Sequence, residues 1–223
     1  MFAAIGCDKI ENLDENDLYL YAKVENASDF RNVVGVKLVM RDKNSSDVEL
    51  ARGEWKDEGF TIVLPKISKN DYPNFITWKL LPTYIAETLT TITISDKNAK
   101  NGIVEFWGVD KDDNVVTRFF PHKIDEEGNT ARVRIGYVDL DVSISGYVDA
   151  GVFANDYDEC LNATFMWGWG NRTIYSIEHK EGWNAVSSFQ SSQEGAIIDN
   201  LSTTSLNGLK WHGGESWKEL DVD

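Results

Sequence analysis

Alternation of apolar and polar residues with a period of two runs through most of this 223-residue chain. At 18–25 it places Leu18, Leu20, Ala22 and Val24 on one face and more polar side chains on the other. Neighbouring side chains of a β-strand point to opposite faces, whereas an amphipathic helix repeats about every 3.6 residues. No stretch of ten or more residues has the helical pattern. The alternation therefore predicts strands and constrains the chain to an all-β fold.

The predicted strands are short and are separated by polar turn sequences such as 110–114. Strands of about five to nine residues with a turn every eight to twelve are typical of sandwiches and barrels. We expect a sandwich-like arrangement in two β-rich halves, at 18–100 and 101–223, divided by the polar segment 96–102. A single larger sandwich or barrel is the alternative. A helical turn or an extended crossover is predicted only within 66–86, where prolines interrupt the alternation.

The N-terminal residues 4–7, Ala-Ile-Gly-Cys, resemble the lipobox of bacterial lipoproteins. That resemblance implies cleavage before Cys7, a lipid attached to Cys7, and a location at the outer membrane or cell surface. The acidic residues that follow predict a solvated tether, so that 1–17 forms a lipobox-like start and linker. A lipidated Cys7 would leave Cys160 as an inert thiol without a disulfide partner.

The charge balance excludes several classes of partner. The chain has 37 acidic and 22 basic residues, which give a net charge of −15. Affinity for nucleic acid depends on clustered Lys and Arg, so we expect no nucleic-acid partner. Attachment to an anionic membrane surface needs the same clusters. We therefore expect membrane contact only through the lipid at Cys7.

Motifs for catalysis, cofactors and metals are missing from the sequence. It contains no Gly-x-Ser-x-Gly, no phosphate loop, no Gly-x-Gly-x-x-Gly and no zinc-ligand spacing. The acidic run 110–114 lacks the Gly and Glu that a calcium loop needs at its sixth and twelfth positions, which favours a plain hairpin turn. Glu105 comes closest to an apolar-flanked catalytic acid, but alternation favours the solvent face of a strand. We expect no cofactor and no metal, and a binding role is favoured over catalysis. A glycoside hydrolase-like enzyme with a dispersed carboxylate pair stays open as an alternative.

Tryptophan is unusually frequent, with eight in the chain. Trp167 and Trp169 are two residues apart, so on a strand they share one face. Asn171 and Arg172 follow directly with hydrogen-bond donors, and Trp183 begins a later strand. We interpret these five residues as a candidate ligand platform, because sugar rings stack on aromatic faces with a polar rim. A sandwich core or a protein interface has the same features.

Two further tryptophans, Trp211 and Trp217, lie in the C-terminal segment beside a pair of glycines. Their large apolar surfaces predict that they attach this segment to the body of the protein. If they are exposed instead, they extend the aromatic platform.

The chain contains three short motifs, GFTIVLP at 59–65, GYVDLDVSISG at 136–146 and KEGWN at 180–184. Together these motifs resemble uncharacterised secreted lipoproteins of Bacteroidetes. The resemblance implies an extracytoplasmic β protein and brings no catalytic residues with it. The sequence thus predicts a surface lipoprotein with a binding or adhesion role, whose partner is a glycan or another surface protein. A structural subunit of a surface appendage is a further alternative.

Overall fold

A computed structural model describes seven parts of the chain: 18–44, 46–76, 78–79, 91–125, 128–149, 172–193 and 196–215. These residues form fourteen strands and one single-turn α-helix, α1 (Tyr72–Phe75). The first seven strands are β1 (Leu18–Lys23), β2 (Gly35–Arg41), β3 (Asp47–Lys56), β4 (Gly59–Leu64), β5 (Trp78–Lys79), β6 (Ile92–Ile94) and β7 (Lys100–Val109). The others are β8 (Val115–Ile124), β9 (Thr130–Val138), β10 (Val142–Asp149), β11 (Arg172–His179), β12 (Gly182–Gln193), β13 (Ala196–Thr204) and β14 (Lys210–Gly214). The all-β prediction is confirmed, and α1 lies in the region where a helical turn was expected.

All fourteen strands are joined by hydrogen bonds into one sheet. Its main path runs β1-β4-β3-β2-β7-β8-β9-β12-β13-β11-β10-β6, while β14 pairs with β8 and β5 with β7. Since β7 begins at Lys100 and pairs with β2, strands from both sides of residue 100 share this sheet. The division into domains at 18–100 and 101–223, and the sandwich-like packing, stay predictions.

Seven strands form what we call the closed segment, in the order β1-β4-β3-β2-β7-β8-β14. Its two ends meet where Val24 forms a parallel bridge with Trp211 and the Glu25 N–H donates to the Trp211 carbonyl oxygen at 2.8 Å. Its interior holds the larger apolar core, and Trp211 is completely buried there. The buried side chains that contact it include Phe60 and Phe106.

Of the remaining seven strands, β5 pairs with β7, and the other six form the open segment, β9-β12-β13-β11-β10-β6. Strands β11 and β13 are parallel, whereas their other neighbours pair antiparallel. Strict alternation on β11 buries every second residue from Thr173 to His179. A second, smaller core packs on this face and includes Val138, Ile144 and Leu201. The long alternating run 131–148 shifts by one position between Tyr137 and Val138, and the structure divides it between β9 and β10 at 139–141.

Candidate functional site

The closed and open segments meet at a three-way junction of β7, β8 and β9, which we call the fork. Pairing of β7 with β8 stops at Phe106, and pairing of β7 with β9 covers only Asn101 to Ile103. Strand β8 pairs with β9 only from His122 onward. The three strands therefore separate around a gap in the hydrogen-bond ladder. Pro121 lies at this gap and lacks the N–H that a fully paired strand requires.

A cavity of about 370 Å³ opens at the fork. Its wall is mostly apolar, with charged groups from four residues among the lining. Cavities with an apolar wall and a few convergent polar groups are the usual form of small-molecule sites. We call it the fork cavity, and its lining consists of Ile103, Val104, Glu105, Phe106, Arg118, Phe119, Phe120, Pro121, Val133, Arg134, Ile135 and Glu215.

Glu105 and Arg118 form an ion pair on the wall of the fork cavity, with 3.4 Å between Nε and Oε2. Glu105 also accepts a hydrogen bond of 2.8 Å from the indole N–H of Trp107. The guanidinium carbon of Arg118 lies 5.7 Å from the centre of the Trp107 ring, within the range of a cation–π contact. Glu105 is on the solvent face of β7, as alternation predicted. The charge of Arg118 is thus already matched by a carboxylate.

Arg134 differs from Arg118 because it is half-buried at the fork, between Val133 and Ile135 on β9. Those two neighbours point into the larger core, so Arg134 points to the opposite face of the strand. Burial lowers the pKa of Arg134 to about 10, since water no longer solvates the charged form. Repulsion from Arg132 lowers the pKa further, and attraction to Asp199 opposes both effects only in part.

Asp199 lies on β13 and is fully buried in the open segment. Its register partners are Thr173 on β11 and Gln190 on β12. A buried carboxylate is costly unless a cation or hydrogen bonds compensate it, and Arg134 supplies an attractive charge. Arg134 thus lines the fork cavity and is attracted electrostatically by the buried Asp199.

Arg172, one of the predicted platform residues, forms an exposed cluster at the start of β11. Its guanidinium donates to both carboxylate oxygens of Asp149, at 2.6 and 3.3 Å, and lies 4.4 Å from the centre of the Tyr147 ring. The ion pair raises the pKa of Arg172 above its ordinary value. The side chain is thus held by two neighbours on β10 and presents an aromatic ring with a stacked cation to solvent.

Trp183, another predicted platform residue, packs at the edge of the larger core. Its indole N–H donates to the Pro65 carbonyl oxygen at 2.9 Å, and its ring meets Tyr137 edge-on at 5.3 Å. Arg172 is the register partner of Ile198 on β13, and Ile198 is the register partner of Ser191 on β12. Ser191 is eight residues from Trp183, or about 26 Å along a strand. The structure does not bring Arg172 and Trp183 together.

Several predicted residues lie outside the described ranges: Cys7, Cys160, Trp167, Trp169, Asn171 and Trp217. The proposed platform and lipid attachment stay predictions at these positions. Trp211 does attach the C-terminal segment to the body, as its position suggested. Among the described residues, no group of three or more His, Cys, Asp and Glu side chains could hold a metal ion. None of the helices in those ranges is long and apolar enough to cross a membrane.

The sequence interpretation missed Arg118 and Arg134. One signal for Arg134 was available: Arg132 and Arg134 alternate with Ala131, Val133 and Ile135, which puts two cations on one face of a strand whose other face is apolar. Comparisons with family models, with curated proteins and with solved structures find no match to this chain.

Proposed function

We propose that this protein is a binding protein displayed outside the cytoplasm, and that its ligand occupies the fork cavity. The observation that carries the proposal is the cavity itself, since its volume of about 370 Å³ lies within the usual range for small-molecule sites. Apolar side chains supply most of its wall, and four charged residues are placed to orient a ligand.

The composition of the cavity wall favours binding over catalysis. The lining residues that the structure describes include two carboxylates, Glu105 and Glu215, and no Ser, Thr, Cys or His. Glu105 is exposed and held by the Trp107 N–H and by Arg118. A general acid of a glycoside hydrolase is instead a carboxyl group in apolar surroundings. The environment of Glu105 therefore does not fit the general acid of a hydrolase at this site.

The proposed location rests on the sequence motifs. A Cys after small residues, an acidic linker and an all-β domain support a lipoprotein anchored through Cys7 at the outer membrane or cell surface. Mass spectrometry of the N-terminal peptide, from protein isolated from its own cells, tests this part of the proposal. A diacylated or triacylated Cys7 is expected, and an unmodified thiol at Cys7 would contradict the anchor.

The glycan platform of Trp167, Trp169 and Asn171 is a separate part of the proposal, with Arg172 as its described member. Tyr147 beneath the Arg172 guanidinium supports it, because an exposed aromatic ring with polar neighbours suits a sugar. A glycan array with the whole protein tests it. We expect the wild-type protein to bind a glycan, and we expect Trp167→Ala and Trp169→Ala to abolish this binding. Binding that survives both substitutions would place the glycan elsewhere.

The fork cavity is tested by filling it. Ile103 is half-buried on the cavity wall, so Ile103→Trp should occupy much of the space. Ile174→Trp is the matched control, because Ile174 is a β-strand isoleucine that is exposed on β11. Saturation-transfer NMR with a set of neutral and charged single-ring compounds should find binders that Ile103→Trp displaces and Ile174→Trp leaves unchanged. Binders that resist Ile103→Trp would place the site outside the fork.

A further inference from the structure

We propose that the ligand of the fork cavity carries a carboxylate on a small apolar ring, and that Arg134 receives this carboxylate. The inference rests on the proposed function, since it specifies what the same cavity binds. It follows from three features: the charge at Arg134, the pairing of the other charged residues, and the chemistry of the wall.

The charge at Arg134 is incompletely compensated. It is half-buried between apolar neighbours, and Arg132 lies two residues away on the same face of β9. Attraction to Asp199 opposes the effects of burial and of Arg132 without cancelling them, so the pKa of Arg134 stays below its ordinary value. An incoming anion at Arg134 would therefore restore a favourable environment for the guanidinium.

The other charged residues on the wall do not compete for an anion at Arg134. Arg118 is engaged by Glu105, at 3.4 Å. Glu215 is exposed, so water screens its repulsion of an anion in the fork cavity. A guanidinium presents its N–H groups in one plane, in a geometry that matches both oxygens of a carboxylate. Arg134 is thus the group on this wall best suited to hold the carboxylate.

The apolar part of the cavity wall determines which kind of ring the ligand can carry. Its apolar lining residues include Phe106, Phe119 and Pro121, which are buried, and Phe120, which is half-buried. A polyhydroxylated ring would lose hydrogen bonds to water against such a wall, whereas an aromatic or alicyclic ring would not. A volume of about 370 Å³ is near the lower end for drug-sized ligands, which suits one ring with a short chain.

The test compares 3-phenylpropanoate with 3-phenylpropanamide, its neutral counterpart of the same shape. Each is titrated into the whole protein while the backbone amide signals of β7, β8 and β9 are followed by NMR. We expect the carboxylate to bind at the fork at least about tenfold more tightly than the amide, the usual scale of a charge-assisted hydrogen bond. Equal affinities at the fork would overturn the inference and leave the proposed function intact. If neither compound binds at millimolar concentration, the inference falls, and the wider set of ring compounds decides the proposed function separately.

Substitutions then assign the carboxylate to Arg134. Arg134→Met should remove the preference for the carboxylate, while Arg132→Met keeps it, because Arg132 is on the same strand and face but does not line the cavity. Arg134→Lys retains the charge without the planar guanidinium. A reduced preference for the carboxylate is therefore expected in Arg134→Lys, even if Arg134→Met fails to fold. The inference would be contradicted if the preference for the carboxylate were unchanged in Arg134→Lys and Arg134→Met. Tight binding of glucuronate in place of 3-phenylpropanoate would also contradict it.

Discussion

The indole of Trp211 meets the ring of Phe106 edge-on, with 4.8 Å between the ring centres. Phe106 lies on β7 and Trp211 on β14, so this contact joins strands that are far apart in the sequence. Phe60 approaches the same indole edge-on at 5.1 Å. The C-terminal strand therefore fills the interior of a segment built mainly by the first half of the chain.

Replacing Trp211 tests how much this packing stabilises the protein. Trp211→Ala should lower the free energy of unfolding by about 3–5 kcal/mol, since a fully buried large side chain leaves a cavity. Trp211→Phe should cost less than half as much, because it keeps an aromatic ring and removes an indole N–H that is buried without an acceptor among the described residues. Urea unfolding followed by circular dichroism measures both changes. An unchanged midpoint for Trp211→Ala would show that β14 does not stabilise the closed segment.

Asn26 supplies a second connection between the two ends of the closed segment. Its side-chain amide donates to the Gly213 carbonyl oxygen at 2.8 Å and accepts from the Gly213 N–H at 2.9 Å. Asn26→Ala removes both bonds and should cost about 1–3 kcal/mol. Hydrogen exchange at the Gly213 amide should become faster, as measured by NMR. The control is Asn44→Ala in an exposed turn, where a change below about 0.5 kcal/mol is expected.

The alternation of apolar and polar residues predicts most strands correctly, because most strands bury one face. Strand β11 shows this clearly, with exposed and buried residues in strict sequence from Arg172 to His179. The pattern does not indicate strand β13, because Asp199 puts a charged residue on its buried face. It does not indicate strand β14 either, because Gly213 and Gly214 have low β-propensity. Pairing with β8 imposes its extended conformation, and that interaction is not visible in the local sequence.

The candidate site was harder to predict than the fold. The fork depends on where pairing stops between β7 and β8 and starts between β8 and β9, and local patterns do not specify this register. Arg134 becomes distinctive only when burial and the position of Asp199 are known. Trp183 shows the limit of composition as a guide, because the sequence suggests a ligand contact and the structure adds that its ring packs against Tyr137 and its N–H donates to Pro65.

Asp113 should titrate well below an ordinary aspartate. It lies in the turn between β7 and β8 and contacts Lys37 at 2.6 Å and Arg52 at 2.8 Å. Hydrogen bonds from Arg52 and Lys37 lower the pKa of Asp113 to about 2. Because the unfolded state binds this proton more readily, the stabilisation is complete above about pH 4 and fades as the pH falls toward 2.

Carboxyl-carbon NMR measures the Asp113 titration directly. Arg52→Gln should raise its midpoint toward the ordinary value, since the hydrogen bond with the largest effect is removed. Arg41→Gln removes a guanidinium that pairs with Asp47 instead, so the midpoint of Asp113 should not move. An Asp113 midpoint that is equal in wild type and Arg52→Gln would show that the contact does not persist in solution.

His179 gives the protein a separate pH dependence at mildly acidic pH. It is buried on β11, and this burial lowers its pKa to about 4, against the opposing effect of a hydrogen bond with Asn184. An unfolded histidine has a pKa of about 6.5, so the unfolded state takes up the proton first as the pH falls. Stability associated with neutral His179 is therefore complete above about pH 6.5 and declines down to about pH 4, by roughly 3 kcal/mol in total.

The variant His179→Gln isolates this contribution because glutamine does not titrate. Carboxylates such as Glu25 and Glu49, whose pKa values are lowered in the folded state, also cost stability as the pH falls, but they do so in both proteins. The difference in unfolding free energy between wild type and variant should therefore change between pH 7 and pH 4, with the wild type losing more. Urea unfolding at intervals across this range supplies the measurement. Parallel pH profiles for the two proteins would mean that His179 is accessible to protons in the folded state.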